Sequence, residues 1–142
     1  MRIMAIDYGD AHTGVAISDP TGMLAGWTTT IDSRKQDVVV EQLRAIIAEW
    51  QVTELVLGYP KNMNDTMGPR VEATLEFKEK LERRTGLPVH TWDERLTTVT
   101  ADKTMMEAGV RREHRREYVD MIAATLILQG YLDRQAMKKK ED

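Results

Sequence analysis

Between Arg2 and Ile31 the chain holds three apolar, β-prone stretches, "RIMAIDYG", "GVAISD" and "LAGWTTTI", joined by "DAHT" and "PTGM". Links this short cannot contain a helical crossover, so the three stretches must be antiparallel neighbours, with Pro20 and Gly22 as turn formers. The opening of the chain is therefore committed to a three-strand meander. Its first strand carries a carboxylate, Asp7, directly after Ile6. An unpaired carboxylate in a core is costly, so the fold must offer Asp7 water, a hydrogen-bond donor or a cation.

From Asp37 the hydrophobic period changes to that of a helix, with Val39, Leu43, Ile46, Ile47 and Trp50 on one face and Asp32 or Ser33 as candidate caps. "ELVLGYP" is a short apolar run of the kind covered on both faces. After the polar "KNMNDTMG", Pro69 suits the first turn of a second helix through Val71, Leu75 and Leu81, which Gly86 and Pro88 end. "PVHTW" makes a fifth strand and "DERLTT" its exit. A helix capped by Thr97 or Thr98 is expected through Ala101 and Met105 to Gly109, followed by the apolar helix "EYVDMIAATLILQGYLDRQ" and a frayed charged tail, residues 138–142. This order describes an α/β fold with a five-stranded mixed sheet, in which two strands reach the meander through helical crossovers and strand 1 is central. Ligands of open α/β sheets gather at the carboxyl ends of such strands, where Asp7 sits.

Bulk properties narrow the class. The 142 residues suit one domain, spanning 1–137, and the 42% hydrophobic and 30% charged fractions are ordinary for a soluble protein. Without cysteine there is neither a disulfide framework nor a thiolate zinc site, which suits a reducing compartment. No run approaches the roughly 20 apolar residues of a membrane span, so a cytoplasmic protein without membrane contact is expected. A net charge of -3 argues against coating nucleic acid with the whole surface but leaves room for a local basic patch.

Three acidic positions stand out. Asp7, Gly9 and Gly14 form D-x-G-x-x-x-x-G on a strand, turn, strand unit, in which Gly9 permits a close approach of backbone or phosphate. Taken alone, a strand-end aspartate most often caps a turn. Asp93 and Glu94 follow the fifth strand, and spacing does not choose between them. Asp120 heads a small-residue stripe, with Ala123, Ala124 and Ile127 on its helical face, although a pair with Arg116 one turn earlier is the plainer role for it. Acids at the end of strand 1, the exit of strand 5 and the start of the last helix can meet at one sheet edge. Such a cluster repels itself unless cations are bound, and Mg²⁺ or Mn²⁺ are the hard ions that suit it. Two such ions would activate a water and stabilise a departing alkoxide, the chemistry of metal-dependent phosphodiester hydrolysis.

The combination of "AIDYGDAHTGVAISD", "VLGYPKNMNDTMGPR", "VHTWDERLTTVTA" and "VDMIAATLILQGYLD" closely resembles the YqgF (RuvX) family of ribonuclease H-like proteins over nearly the whole chain. The resemblance implies a ribonuclease H-like fold with strand order 3-2-1-4-5. It also implies a bacterial cytoplasmic nuclease that matures the 5' end of pre-16S ribosomal RNA, from a family earlier labelled Holliday-junction resolvase. It carries the catalytic and metal-binding acids onto Asp7, Glu94 and Asp120. Two departures accompany it. Resolvase relatives place an acid at the end of strand 4, where "LVLGYP" offers none, and Asp65 stands where the family commonly has glycine.

Candidate substrate contacts are Lys61, Asn62, Asn64 and Arg70 near a helix start, where N-H groups and the dipole favour phosphate. Arg111, Arg112, Arg115 and Arg116 crowd beside the helix of Asp120, and Arg95 can orient Glu94 or hold a phosphate. Asn-rich loops are commonly plain turns and charge runs plain solvated faces, so it is adjacency to the acids that raises both. His12, His90 and His114 lack ligand spacing and are expected on the surface or in packing; the nine methionines are expected as core filler.

The expected partners are structured RNA, pre-16S RNA above all, and a ribosomal subunit, engaged by a monomer or weak homodimer. The alternatives are a junction-type DNA nuclease acting on branched DNA and a non-catalytic RNA-binding assembly factor. A sugar-kinase-like phosphotransferase also starts from D-x-G, but it needs two lobes and this chain has room for one.

Overall fold

A computed structural model describes residues 2–21, 25–59, 69–93 and 115–141, with the side chains of the last helix described from 122 to 138. Five strands, β1 (Arg2–Asp7), β2 (His12–Ser18), β3 (Ala25–Asp32), β4 (Val52–Tyr59) and β5 (Val89–Asp93), form one sheet. Its order is β3-β2-β1-β4-β5. The β1–β2 and β2–β3 pairs are antiparallel, and β4 joins β1 and β5 in parallel. Helices α1 (Gln36–Trp50), α2 (Pro69–Thr85) and α3 (Arg115–Glu141) complete the described elements. The helix expected over 101–109 lies outside the described residues.

Strand alternation sorts the side chains into two layers. Met4, Ile6, Val15, Leu55 and Leu57 face α1 and α2, where Val39, Val40, Leu43, Phe77 and Leu81 meet them. Ile3, Ala5, Ala16 and Val56 face α3 through Ala124, Ile127, Leu128, Tyr131 and Leu132. Strands β1 and β4 thus bury both faces, as their unbroken apolar runs require. The α3 side uses alanine in the sheet and in the helix, which lets the helix backbone approach closely.

Local chemistry sets the element ends, and three expectations are corrected. Helix α1 is capped by neither Asp32 nor Ser33: Lys35 occupies the cap position without a side-chain bond. Ser33 instead turns the chain just before the helix, its Oγ accepting the Lys35 N-H at 3.1 Å. On α2, Leu75 is exposed at 39%, and the buried stripe runs through Val71, Thr74, Phe77 and Leu81. Thr74 can lie there because its hydroxyl donates to the Arg70 carbonyl at 2.8 Å, leaving its methyl to pack. The charged tail is not frayed, since α3 continues to Glu141. Gly86, at φ 69, ends α2 in the left-handed conformation as expected.

Candidate active site at the carboxyl edge of the sheet

Asp7 is the last residue of β1 and only 7% exposed. It pairs with Gly14 of β2. Since Ile3 and Ala5 face α3, alternation puts position 7 on that same face. The next glycine of the pattern, Gly9, answers to backbone crowding: a Cβ there would collide with the His12 carbonyl oxygen, so the D-x-G turn needs glycine whether or not phosphate approaches.

The parallel strands β1, β4 and β5 all end at the edge where Asp7 lies, β4 at Tyr59 and β5 at Asp93, which pair with each other. The segments bearing Lys61, Asn62 and Asn64, and those bearing Glu94 and Arg95, begin from this edge; these residues, with Arg111 and Arg112, lie outside the described ones. Arg70 is exposed in the first turn of α2.

The pleat of β5 fixes the facing of Asp93, one of the two acids that spacing left equivalent. Trp92 packs into the α3-side cluster and Val89 into the opposite one. Asp93 therefore shares the Val89 face and points away from the side on which Asp7 lies.

Helix α3 packs across β2, β1, β3 and β4, and reaches β5 through side chains. Gly130 lies beside Trp92 near the strand's end, and a Cβ at Gly130 would stand 2.7 Å from Trp92 Cζ2. Arg134 and Lys138, one and two turns later, line the same groove as Val89 at the strand's start. Tyr131, next to Gly130, meets Glu54 near the start of β4, and Arg115, Arg116 and position 120 belong to the opposite, N-terminal end of the helix. Ala123, Ala124 and Ile127, three, four and seven residues after Asp120, are buried at 1%, 0% and 0%, so the small-residue stripe does lie on the sheet. The side chains of Arg115, Arg116 and Asp120 lie outside the described ones. Among the described residues, no group of three or more His, Cys, Asp or Glu could hold a metal ion.

One polar cluster escaped the sequence. Glu54 Oε1 accepts the Tyr131 hydroxyl at 2.5 Å and lies 2.7 Å from His90 Nε2. The His90 and Tyr131 rings stack with centroids 5.7 Å apart. Burial, then the hydrogen bond to Glu54 and its charge, raise the Tyr131 pKa well above the ordinary tyrosine range, against a smaller opposing hydrogen bond from Gln135. The other described histidine, His12, pairs with Asp32 at 2.7 Å on the surface.

A family model described as RuvX, Holliday junction resolvase, matches residues 1–134. The chain belongs to this family. Within it, a relative from Agathobacter rectalis named "Putative pre-16S rRNA nuclease" is 54% identical over 137 residues, covering 94% of this chain and 95% of that protein. Among solved structures, T. thermophilus RuvC in complex with a Holliday junction substrate matches with a TM-score of 0.62 at 11% identity, covering 96% of each chain. Fowlpox virus resolvase, in complex with its substrate Holliday junction DNA, matches with a TM-score of 0.59 at 13% identity over 95% of this chain and 99% of that one. At these identities the structural likeness establishes the fold, that of the RuvC-like, ribonuclease H-type proteins, as the motifs of the RuvX chain implied.

Proposed function

We propose that this RuvX protein is a divalent-metal-dependent nuclease that hydrolyses phosphodiester bonds at the 5' end of pre-16S ribosomal RNA in the cytoplasm. One observation carries the proposal: Asp7 is buried at the carboxyl end of the central strand, on the face covered by the helix that bears Asp120. The names of the relatives supply the substrate, and family membership supplies the reaction class.

The donor set fits Mg²⁺ or Mn²⁺, which prefer carboxylate oxygens. Asp7, Glu94 and Asp120 would hold the metal; bound there, it would supply an activated water and neutralise charge on the leaving oxygen. With Asp93 turned to the other face, the following residue, Glu94, is the acid retained from strand 5. Asp7 anchors the group because a buried position on an interior strand has little freedom to stray. Lys61, Asn62, Asn64 and Arg70 would take phosphates ahead of α2, while Arg95, Arg111, Arg112, Arg115 and Arg116 would hold the strand beside the acids. Asp65 adds a negative charge to that phosphate path. With its acidic net charge, the protein, as a monomer or weak homodimer, would draw part of its affinity from a ribosomal subunit.

Junction-type DNA cleavage is the second reading, favoured by the family description. The strand-4 end weighs against it, since Gly58 and Tyr59 stand where resolvase relatives carry an acid.

The test is cleavage of pre-16S RNA by purified protein with Mg²⁺, alongside Asp7→Asn and Asp120→Asn. Wild type should cleave, and each variant should lose more than about 100-fold, because losing even an outer-shell partner of a metal ligand costs 10- to 100-fold. Equal cleavage by all three, or none by any while RNA binding persists, contradicts the proposal and leaves the non-catalytic assembly factor.

A further inference from the structure

A groove of about 600 Å³ runs along β5 between α2 and α3. Lys78, Arg134 and Lys138 supply cations to its walls; His90, Trp92 and Tyr131 supply aromatic surface, and no carboxylate lines it among the described residues. Lys78 shares its charge with Glu82. Arg134 and Lys138 belong to no ion pair among the described residues. The His90 ring is 47% exposed, and its orientation is fixed by Glu54 and by the stack on Tyr131.

The Trp92 end of the groove lies level with the candidate active site. Trp92 pairs with Gly58, and Gly58 comes one position after the Leu57–Ile6 pair, level with Asp7. Trp92 and Asp7 thus occupy one row across the sheet, two strand spacings or about 10 Å apart. A polyanion whose reacting bond lay at Asp7 would reach the groove with its neighbouring residues.

We infer that this groove binds a nucleotide of a single-stranded segment flanking the cleaved bond, its phosphate on Arg134 and Lys138 and its base against the exposed His90 ring. Cations beside a positioned aromatic surface are what sequence-tolerant single-strand recognition requires. The volume is right for a ligand of nucleotide size. An acidic peptide would use the cations but has no need of the ring. The inference rests on the nuclease reading only for the placement of the reacting bond at Asp7.

Binding of a fluorescein-labelled 12-nucleotide single-stranded RNA, followed by anisotropy in EDTA across a salt series, tests it without cleavage. The Arg134→Ala/Lys138→Ala protein should bind at least tenfold more weakly. Its plot of log affinity against log salt should be shallower by about 0.7, the value for one single-strand phosphate neutralised. His90→Ala should lose at least fivefold with the salt slope kept. A DNA 12-mer showing the same losses assigns the contacts to phosphate and base; losses confined to RNA assign them to the ribose as well, and both outcomes support the groove. Unchanged affinity and slope in the double variant, no binding of RNA by wild type, or tighter binding of a polyglutamate peptide than of RNA would overturn it. Failure of wild type to cleave with Mg²⁺ bears instead on the nuclease reading, so the two can fail separately.

Discussion

Asp7 and Gly14 face each other across the β1–β2 ladder, at the end of the sheet where β4 and β5 also finish. Directly opposed positions bring Cβ atoms to about 5 Å, so a glycine beside Asp7 keeps a neighbouring side chain away from its carboxylate. If that carboxylate ligates a cation, the ion should stabilise the fold by mass action. At tenfold excess over its dissociation constant the gain is about 1.4 kcal/mol, or roughly 3 to 6 °C in a chain of this size. Wild type should show this rise in Tm when Mg²⁺ is added, and Asp7→Asn should show none. A full rise in the variant would place the ion elsewhere.

The contact between Gly130 and Trp92 predicts an inverted helix-propensity effect. Gly to Ala inside a helix ordinarily gains about 1 kcal/mol. Here the added methyl would meet the indole at 2.7 and 3.3 Å, so Gly130→Ala should lower stability by about 1 to 2 kcal/mol in urea unfolding. In a Trp92→Leu background the same change should become neutral or stabilising. An equal effect in both backgrounds would mean that the indole is not the obstacle.

Tyr131 predicts a loss of stability in alkali. Its folded-state pKa lies above the unfolded value of about 10, so the folded form holds its proton more tightly. The contribution is complete below about pH 10 and declines as pH rises from there toward the folded pKa. Tyr131→Phe removes this titration, and its unfolding free energy should fall less steeply above pH 10 than that of wild type. Parallel slopes would show that Tyr131 is not the group responsible.

On the other side of the sheet, Phe77 is fully buried and stacks on Tyr8 with centroids 4.2 Å apart. Phe77→Ala should cost about 3 to 5 kcal/mol. Leu75→Ala, two residues earlier on the exposed side of the same helix, should cost less than about 1 kcal/mol. Similar losses at both positions would contradict the orientation given to α2.

These contrasts mark where sequence stopped being informative. The meander, the two crossovers and the burial of β1 and β4 were legible because link length and apolar runs constrain pairing directly. The inward face of α2 was not, because the stripe includes Thr74, whose burial depends on a hydrogen bond to its own helix. The continuation of α3 through the charged tail was missed because a lysine-rich end resembles a solvated coil. At the site, Asp7 and the stripe below Asp120 followed from strand ends and helical spacing. Spacing did not separate Asp93 from Glu94, which the family resemblance alone chose; the facing of Asp93 became visible only with the pleat of β5, fixed by where Trp92 and Val89 pack. Glu54, His90 and Tyr131 are joined only by tertiary contact, with Glu54 and Tyr131 77 residues apart, and no local pattern announces them.

In the proposed mechanism Asp7 is a ligand to a catalytic cation. Anomalous diffraction from a crystal soaked in Mn²⁺ addresses it most directly. A peak is expected within coordination distance of an Asp7 carboxylate oxygen, shared with Glu94 and Asp120. A peak bound only by other residues, or none at Asp7 at a Mn²⁺ concentration that supports cleavage, would contradict it.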